Sequence, residues 1–143
     1  YVNEYVGFNS RLDEIQAAFL RIKLPSLDTD NNRRREIAKH YLSSINNPKI
    51  KLPTYKEDKT HVFHQFVIQV SNREEFTNYL TQNEIEFLIH YPIPPHRQKA
   101  LVCYSKLSFP ITEKMHREVV SIPINPILSS TEIKEIILVL NSY

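Results

Sequence analysis

Apolar residues recur at helical spacing near the start of the chain, at positions i, i+3, i+7 and i+10. These are Leu12, Ile15, Phe19 and Ile22. The spacing predicts one buried stripe on a helix over residues 11–24. Pro25 lacks a backbone N–H, so it either ends this helix or kinks one longer helix.

A second helical pattern begins at about Leu27 and has a dense apolar face. Its members are Ile37, Ala38, Tyr41, Leu42 and Ile45. Residues 46–48, Asn-Asn-Pro, end this pattern because they favour a turn.

Three segments have the composition of strands. The strongest is residues 61–70, where β-branched and aromatic residues divide between two faces. Residues 50–52 predict a short edge strand. Residues 85–91 predict a third strand, which ends where the prolines of residues 92–95 remove ladder donors. We expect residues 54–60 to form a charged loop.

Three more helices are predicted from their first residues. Two open on capping boxes, in which a serine and a glutamate three residues later satisfy free backbone N–H groups. The starts are Ser71 with Glu74, Pro110 with Thr112, and Ser129 with Glu132. The resulting order, α-α-β-β-α-β-loop-α-α, predicts an α+β fold in which a small antiparallel sheet packs with helices.

Composition limits the classes of partner. The length of 143 residues predicts one domain, and 18 basic against 16 acidic side chains give a net charge of +2, which favours neither nucleic acid nor a membrane surface. Lys134 and Glu135 interrupt the apolar residues 133–140, so no membrane span is expected. Cys103 is the only cysteine; we expect it to be buried, and its lack of a disulfide partner suits the cytoplasm.

The turn before the first helix is a candidate binding segment. Gly7 is the only glycine, so it is the one position where a left-handed backbone costs little. Ser10 and Asp13 have capping-box spacing, which leaves Asn9 and Arg11 free. A guanidinium offers a fork of donors and the amide adds one more, so the pair suits a phosphate. The alternative is simple helix capping beside a surface arginine.

The loop after the third predicted strand is the second candidate. Its sequence, HYPIPPHRQ (residues 90–98), places polar side chains in a segment whose prolines restrict its freedom before anything binds. The candidate ligand contacts are His90, Tyr91, His96 and Gln98. The alternative is that the histidines are satisfied within the loop.

Metal and nucleic-acid sites are not favoured. His61 and His64 would project to opposite faces of a strand, whereas zinc needs three or four converging ligands. The three arginines of residues 33–35 spread around a helix, so we expect a solvated or interface face rather than a binding stripe. One glycine is too few for a glycine-rich phosphate loop.

Several motifs, in this order, resemble the C-terminal part of the DegT/DnrJ/StrS sugar aminotransferases, which are fold-type I enzymes that depend on pyridoxal phosphate (PLP). They are GFNSRLDEIQAAFLRIKL, RRREIAKHY, HYPIPPHRQKA and FPITEKMHREVVSIPINP, followed by an amphipathic helix. The resemblance extends from about Tyr1 to Tyr143. It implies the C-terminal small domain of such an enzyme.

The resemblance implies that part of the active site lies outside this chain. In the family, the lysine that forms the Schiff base with PLP precedes the GFNSRLD segment. Because the chain begins at Tyr1 rather than at methionine, we expect residues 1–143 to be a domain of a larger enzyme and not catalytic alone. The resemblance implies that Asn9 reaches the PLP phosphate of the neighbouring subunit of a homodimer, and that Arg11 lies in the same site.

The implied activity is transfer of an amino group, with glutamate as donor, to a keto sugar linked to a nucleotide. The resemblance puts residues 90–98 at the sugar-nucleotide site and favours a dTDP-linked deoxy sugar with a 3-keto group. Such amino sugars enter lipopolysaccharide, other surface polysaccharides and natural products. Two alternatives stay open: a stand-alone α+β module that binds RNA or a protein, and a PLP-binding family member that is not a transaminase.

Overall fold

The computed structural model describes residues 1–55 and 59–143, so part of the expected charged loop at residues 54–60 lies outside the described residues. The helices are α1 (Glu14–Lys23), α2 (Leu27–Ser44), α3 (Arg73–Gln82), α4 (Pro110–Glu118) and α5 (Ser130–Ser142). The strands are β1 (Ile50–Lys51), β2 (Phe66–Val70) and β3 (Val119–Ile122). Short 3₁₀ turns cover Leu24–Ser26, Pro95–Arg97 and Lys99–Tyr104.

The three strands form an antiparallel sheet in the order β1-β2-β3. In the central strand, Val70 pairs with Ile50 and Phe66 pairs with Ile122. Alternate residues of β2 are buried, as its sequence pattern predicts, although the ladder uses only the second half of residues 61–70. The predicted α+β fold, with a small antiparallel sheet packed by helices, is confirmed.

The third strand is not the predicted one. β3 follows α4 directly, with Glu118 ending the helix and Val119 beginning the strand. Residues 85–91 were predicted to be that strand, but they join the sheet by one bridge between Leu88 and Ser121, with N–H···O distances of 3.0 and 2.8 Å. The sheet edge at β3 is therefore covered by a segment that pairs at a single residue.

One apolar core lies between the sheet and α2, α3 and α5. Its largest fully buried side chains are Tyr41, Phe66, Phe76, Ile37, Ile68, Leu80, Leu140, Val70 and Val120. The Tyr41 hydroxyl donates a 2.9 Å hydrogen bond to the Pro123 carbonyl, and burial raises the pKa of this phenol, so it remains a donor. This bond ties α2 to the segment that leaves β3.

Local caps set the starts of two core helices. Ser129 and Glu132 form the predicted capping box at α5, with N–H···O distances of 3.2 and 2.7 Å. At α3 the cap is Asn72, whose side chain accepts from the Glu75 N–H at 3.3 Å, rather than the predicted Ser71. Asparagine and serine both accept well at this position, so the sequence pattern alone did not distinguish them.

α1 stands outside the core. No residue of α1 is buried, and Ile15, Phe19 and Ile22 keep 70, 66 and 77 % of their surface exposed. The prediction of a buried stripe is wrong for the described chain. The stripe itself exists, but within this chain nothing packs against it.

The backbone around α1 also differs from the prediction. The left-handed conformation lies at Leu12, with φ of 63°, and not at Gly7. Asp13 caps the helix in place of Ser10. The backbone on either side of Pro25 stays in the right-handed helical region, so this proline kinks one longer helical path rather than ending it.

The arginines of α2, which were expected on a solvated or interface face, are half-buried, and two of them bond within the chain. Arg33 donates to the Leu128 carbonyl at 3.0 Å. Arg35 donates to the carbonyls of His61 and Lys59 at 3.1 and 2.9 Å. Two of the three arginines therefore hold loops onto α2, and they are not free to form a nucleic-acid stripe.

Other expectations concern membranes, metals and cysteine. No described helix has both the length and the apolar character needed to cross a membrane. Among the described residues, no group of three or more side chains is arranged to hold a metal ion. His61 and His64 precede β2 and so do not lie on opposite faces of a strand, and Cys103 is exposed rather than buried.

Candidate functional site

Residues 1–13 form an arm that precedes α1, and every residue of the arm is exposed. Asn9 and Arg11 lie in its second half. Neither side chain has a hydrogen-bond or ion-pair partner in the described part of the chain. The donors of a guanidinium and an amide are therefore uncommitted, and this donor set fits the phosphate group of PLP.

Gln98 holds the first half of the arm. Its side chain is 8 % exposed, and its Oε1 accepts from the Asn3 N–H at 2.9 Å. Its Nε2 donates to the carbonyls of Tyr1 and Ile93 at 3.1 and 3.3 Å. A backbone bond of 2.9 Å from Ala100 to the Asn3 carbonyl lies beside them. Both ends of the Gln98 amide are therefore engaged within the chain.

His96 is buried against the start of α4. Its Nε2 lies 3.0 Å from Glu113 Oε1, and its ring meets the Phe109 ring edge-on at 5.0 Å. Glu113 also accepts from the Phe109 N–H at 3.1 Å and lies 3.4 Å from the Arg97 guanidinium. Phe109 has no capping side chain, so Glu113 satisfies this N–H at the helix start. His96 is thereby joined to α4.

The same contacts stabilise the ionised carboxylate of Glu113. The hydrogen bond from the Phe109 N–H is the largest cause, followed by the bond with His96, and Arg97 contributes a smaller favourable interaction. Together they outweigh partial burial and lower the pKa of Glu113 below its ordinary value.

His90 and Tyr91 have different surroundings. His90 Nδ1 lies 2.9 Å from Ser121 Oγ on β3. The Tyr91 carbonyl accepts from His116 Nδ1 at 2.6 Å, and the Tyr1 ring packs edge-on against the Tyr91 ring at 5.1 Å. Tyr91 is 49 % exposed, and its hydroxyl has no hydrogen-bond partner among residues 1–55 and 59–143. Among the four predicted loop contacts, Tyr91 is the one that offers a free hydroxyl to a ligand.

An open groove of about 880 Å³ lies beside β3. His90 and Ser121 line it, together with the cation Arg34 and the carboxylates Glu84 and Glu86. The two carboxylates offset the arginine, so the groove has no excess positive charge to attract an anion. Neither the arm nor the exposed Tyr91 ring contributes to its lining.

The structure thus distributes the four predicted loop residues instead of gathering them at one point. His90 is fixed on β3, His96 on α4 and Gln98 on the arm, while Tyr91 remains exposed. Sequence reasoning missed their partners, which are Tyr1, Asn3, Glu113, His116 and Ser121. Only Glu113 had a local signal, since it lies four residues after Phe109, the N-cap residue of α4, which offers no capping side chain.

Comparison with known proteins gives the family. The profile of the DegT/DnrJ/EryC1/StrS aminotransferase family matches residues 1–141. This chain belongs to that family. The resemblance inferred from the motifs is therefore confirmed.

Two relatives illustrate the family's chemistry. A protein from Aneurinibacillus thermoaerophilus, named dTDP-3-amino-3,6-dideoxy-alpha-D-galactopyranose transaminase, is 54 % identical over 143 residues, which are 100 % of this chain and 39 % of the relative. A Streptomyces venezuelae protein, named dTDP-3-amino-3,4,6-trideoxy-alpha-D-glucose transaminase, is 39 % identical over 96 % of this chain and 37 % of its own length. The chain spans about two fifths of these relatives.

Solved structures share the fold. S. venezuelae DesV, in complex with a ketimine intermediate, has a TM-score of 0.85 at 38 % identity over 99 % of this chain and 39 % of DesV. NtdA from Bacillus subtilis, with bound cofactor PMP, has a TM-score of 0.76 at 29 % identity over 94 % of this chain and 33 % of NtdA. The described fold matches one part of each longer structure.

Glu113→Gln should reduce stability at neutral pH and flatten its decline in acid. Because the pKa of Glu113 is lowered in the folded state, its contribution is fully present above the unfolded-state pKa and is lost as the pH falls through the folded-state pKa. Thermal unfolding midpoints from about pH 3 to pH 7 measure this difference. The control is Glu36→Gln, since Glu36 is 65 % exposed in a surface ion pair. Parallel curves for wild type and Glu113→Gln would contradict the assignment.

Proposed function

We propose that this chain is the C-terminal domain of a larger PLP-dependent aminotransferase that acts on a nucleotide-linked keto sugar. The observation that carries the proposal is the family match over residues 1–141. The chain covers 39 % of a relative named as a dTDP-amino-sugar transaminase, and we propose that the PLP lysine lies in the part of the protein that this chain does not cover. This domain alone would lack catalytic activity.

The proposed substrate is a dTDP-linked deoxy sugar with a 3-keto group. Its support is the names of two relatives, both of which refer to dTDP-3-amino sugars. We propose glutamate as the amino donor, because a Bacillus subtilis relative, 32 % identical over 84 % of this chain, is named 3-oxo-glucose-6-phosphate:glutamate aminotransferase. The amino sugar would be made in the cytoplasm for lipopolysaccharide or another surface polysaccharide.

PLP, when bound, supplies the electron sink for the carbanion chemistry of amino transfer. The contribution of this chain is to bind and orient. Asn9 and Arg11 would hold the phosphate with their uncommitted donors, since charge-assisted hydrogen bonds to phosphate are strong and directional.

Tyr91 is the proposed direct contact with the nucleotide sugar. Tyr91 is half-exposed and its hydroxyl is free, which supports a hydrogen bond to a sugar hydroxyl or to the diphosphate. His90, oriented by Ser121, is proposed beside it. Direct substrate contact by His96 and Gln98 stays a prediction; their burial and internal hydrogen bonds support a role in holding the loop.

The exposed face of α1 supports a subunit interface. Phe8 on the arm is fully exposed, and the apolar stripe of α1 has no cover within the described chain. We propose that this face packs in a symmetric homodimer, in which Asn9 serves the neighbouring active site.

A PLP-binding family member that does not transaminate is the second candidate, because a Geobacillus stearothermophilus relative, 34 % identical over 92 % of this chain, is named pleiotropic regulatory protein. An RNA-binding module is not favoured, since Arg33 and Arg35 hold backbone carbonyls.

The deciding experiment incubates the full-length protein with PLP, glutamate and a dTDP-linked 3-keto-6-deoxyhexose. Mass spectrometry should detect the dTDP-amino sugar and 2-oxoglutarate.

Tyr91→Phe in the full-length enzyme should raise the KM for the nucleotide sugar about two- to tenfold, the effect of one lost hydrogen bond. The half-reaction with glutamate should be unchanged, because Tyr91 is proposed to contact only the larger substrate. Steady-state kinetics and single-turnover spectra measure the two effects. The control is Tyr5→Phe, since Tyr5 is also exposed. Equal losses in both half-reactions would show that Tyr91 contacts the cofactor rather than only the nucleotide sugar.

Asn9→Ala should weaken PLP binding by about 1–3 kcal/mol, the range for a hydrogen bond to a charged group. Equilibrium dialysis of the full-length protein at low PLP concentration measures the loss. Asn78→Ala, which changes an exposed asparagine on α3, is the matched control. Retention of PLP at the wild-type level by Asn9→Ala would show that this amide does not hold the phosphate.

Phe19→Asp should dissociate the full-length homodimer, because it places a charge in the proposed apolar interface. Analytical ultracentrifugation should give a two-subunit mass for wild type and mainly one subunit for the variant. Leu138→Asp is the control, since Leu138 is similarly exposed, at 67 %, on α5. A variant that remains dimeric, or a wild type that is monomeric, would contradict the interface.

A further inference from the structure

A buried side-chain amide joins two segments that are far apart in sequence. Gln98 is 8 % exposed and bonds to Asn3 and Tyr1, which are 95 and 97 residues away. Its third bond, to the Ile93 carbonyl, stays within the loop. Because the amide is buried, loss of this side chain would leave three backbone groups without their hydrogen-bond partner. Unpaired backbone groups destabilise the folded state when water cannot take the place of the lost partner.

Asn3 is the best-held residue of the arm. Its N–H bonds to Gln98 and its carbonyl accepts from the Ala100 N–H at 2.9 Å, so both backbone groups are satisfied. The adjacent ion pair between Lys99 and Glu4 is exposed, at 71 and 57 %, and exposed pairs contribute little. Across residues 5–12 of the described chain, no further hydrogen bond attaches the arm.

The arm is consequently a loop with two fixed ends. One end is Asn3, held by Gln98, and the other is the cap of α1. Asn9 lies between them, six residues after Asn3, whereas Arg11 is close to the helix cap. Fixing both ends limits the volume that the intervening residues sample before a ligand binds. A ligand that contacts Asn9 then has less backbone freedom of the arm to restrict, so the entropy cost of binding is smaller.

We infer that Gln98 is a positioning residue for the cofactor phosphate, which acts through Asn9 and does not contact a ligand itself. The same amide holds the Ile93 carbonyl, in the loop that presents Tyr91. Gln98 therefore fixes the phosphate arm and the sugar loop in one arrangement. The inference rests on the proposed role of Asn9, and it replaces a direct substrate contact by Gln98.

The test uses two substitutions in the full-length enzyme. Gln98→Leu removes all three side-chain hydrogen bonds at similar volume. Gln98→Glu keeps the acceptor for the Asn3 N–H but loses both donor bonds, and it also serves if the leucine variant does not fold. Amide hydrogen exchange at Asn3 and Ala100 should accelerate about tenfold or more in Gln98→Leu, and less in Gln98→Glu. The dissociation constant of PLP, measured without substrate, should rise about tenfold in Gln98→Leu.

The matched control is Lys99→Gln, the neighbouring position on the same loop. Loss of its exposed ion pair should change amide exchange and PLP affinity by less than about twofold. Unchanged exchange in both Gln98 variants overturns the inference. Faster amide exchange with an unaltered dissociation constant of PLP also overturns the inference, because the arm would then be more mobile while the PLP phosphate is bound as tightly as before.

A double variant separates this inference from the proposed function. In an Asn9→Ala background, Gln98→Leu should weaken PLP binding by less than about twofold further, because residues that act through one contact are not additive. Fully additive losses would overturn the inference and leave the phosphate role of Asn9 intact. If Asn9→Ala alone has no effect on PLP affinity, the proposed role of Asn9 fails, and the inference fails with it.

Discussion

The pairing of β3 with the central strand β2 determines where the polar loop lies. β3 has four buried residues, and its Ser121 bonds to both the Leu88 backbone and the His90 ring. α4 leads directly into β3, and it supplies the partners of His96 and of the Tyr91 carbonyl. Displacement of β3 would therefore move the attachments of His90, His96 and the Tyr91 carbonyl, whereas the bonds from Gln98 to the arm do not depend on β3.

Most of the polar side chains in the loop are used to hold it. Buried polar groups need partners, and His96 and Gln98 obtain theirs from α4 and from the arm. The three prolines of the loop would not by themselves select one conformation, because proline restricts φ but leaves other torsions free. The hydrogen bonds select it, and they leave one aromatic hydroxyl, that of Tyr91, available at the surface.

Local patterns predicted the elements whose apolar residues repeat with a clear period. The faces of α2 and α5 and the alternation along β2 belong to this class. β3 was not predicted, because its four residues are all buried and follow a helix without a turn. Neither an alternation of buried and exposed residues nor a turn therefore marks this strand in the sequence. The stripe on α1 was correctly recognised as apolar, but periodicity does not say which surface covers it.

The residue types of the candidate site can be read from the sequence, whereas their arrangement in space cannot. Uncommitted donors at Asn9 and Arg11 and a polar loop over residues 90–98 were visible in the sequence. The bonds that divide the loop residues among three elements were not, since Gln98 meets partners 95 and 97 residues away. Contacts over such separations depend on the tertiary fold, for which a single sequence gives no local signal.

The bare apolar face of α1 has a consequence for biosynthesis. A chain is made from its N-terminus, so in the proposed full-length enzyme this domain leaves the ribosome after the part that precedes it. Ile15, Phe19 and Ile22 would then stay exposed until the second subunit of the proposed homodimer covers them. When residues 1–143 are expressed alone, no upstream part is synthesised before them. The same three side chains would then contact other copies of the domain, so the solubility of the isolated domain should fall as its concentration rises.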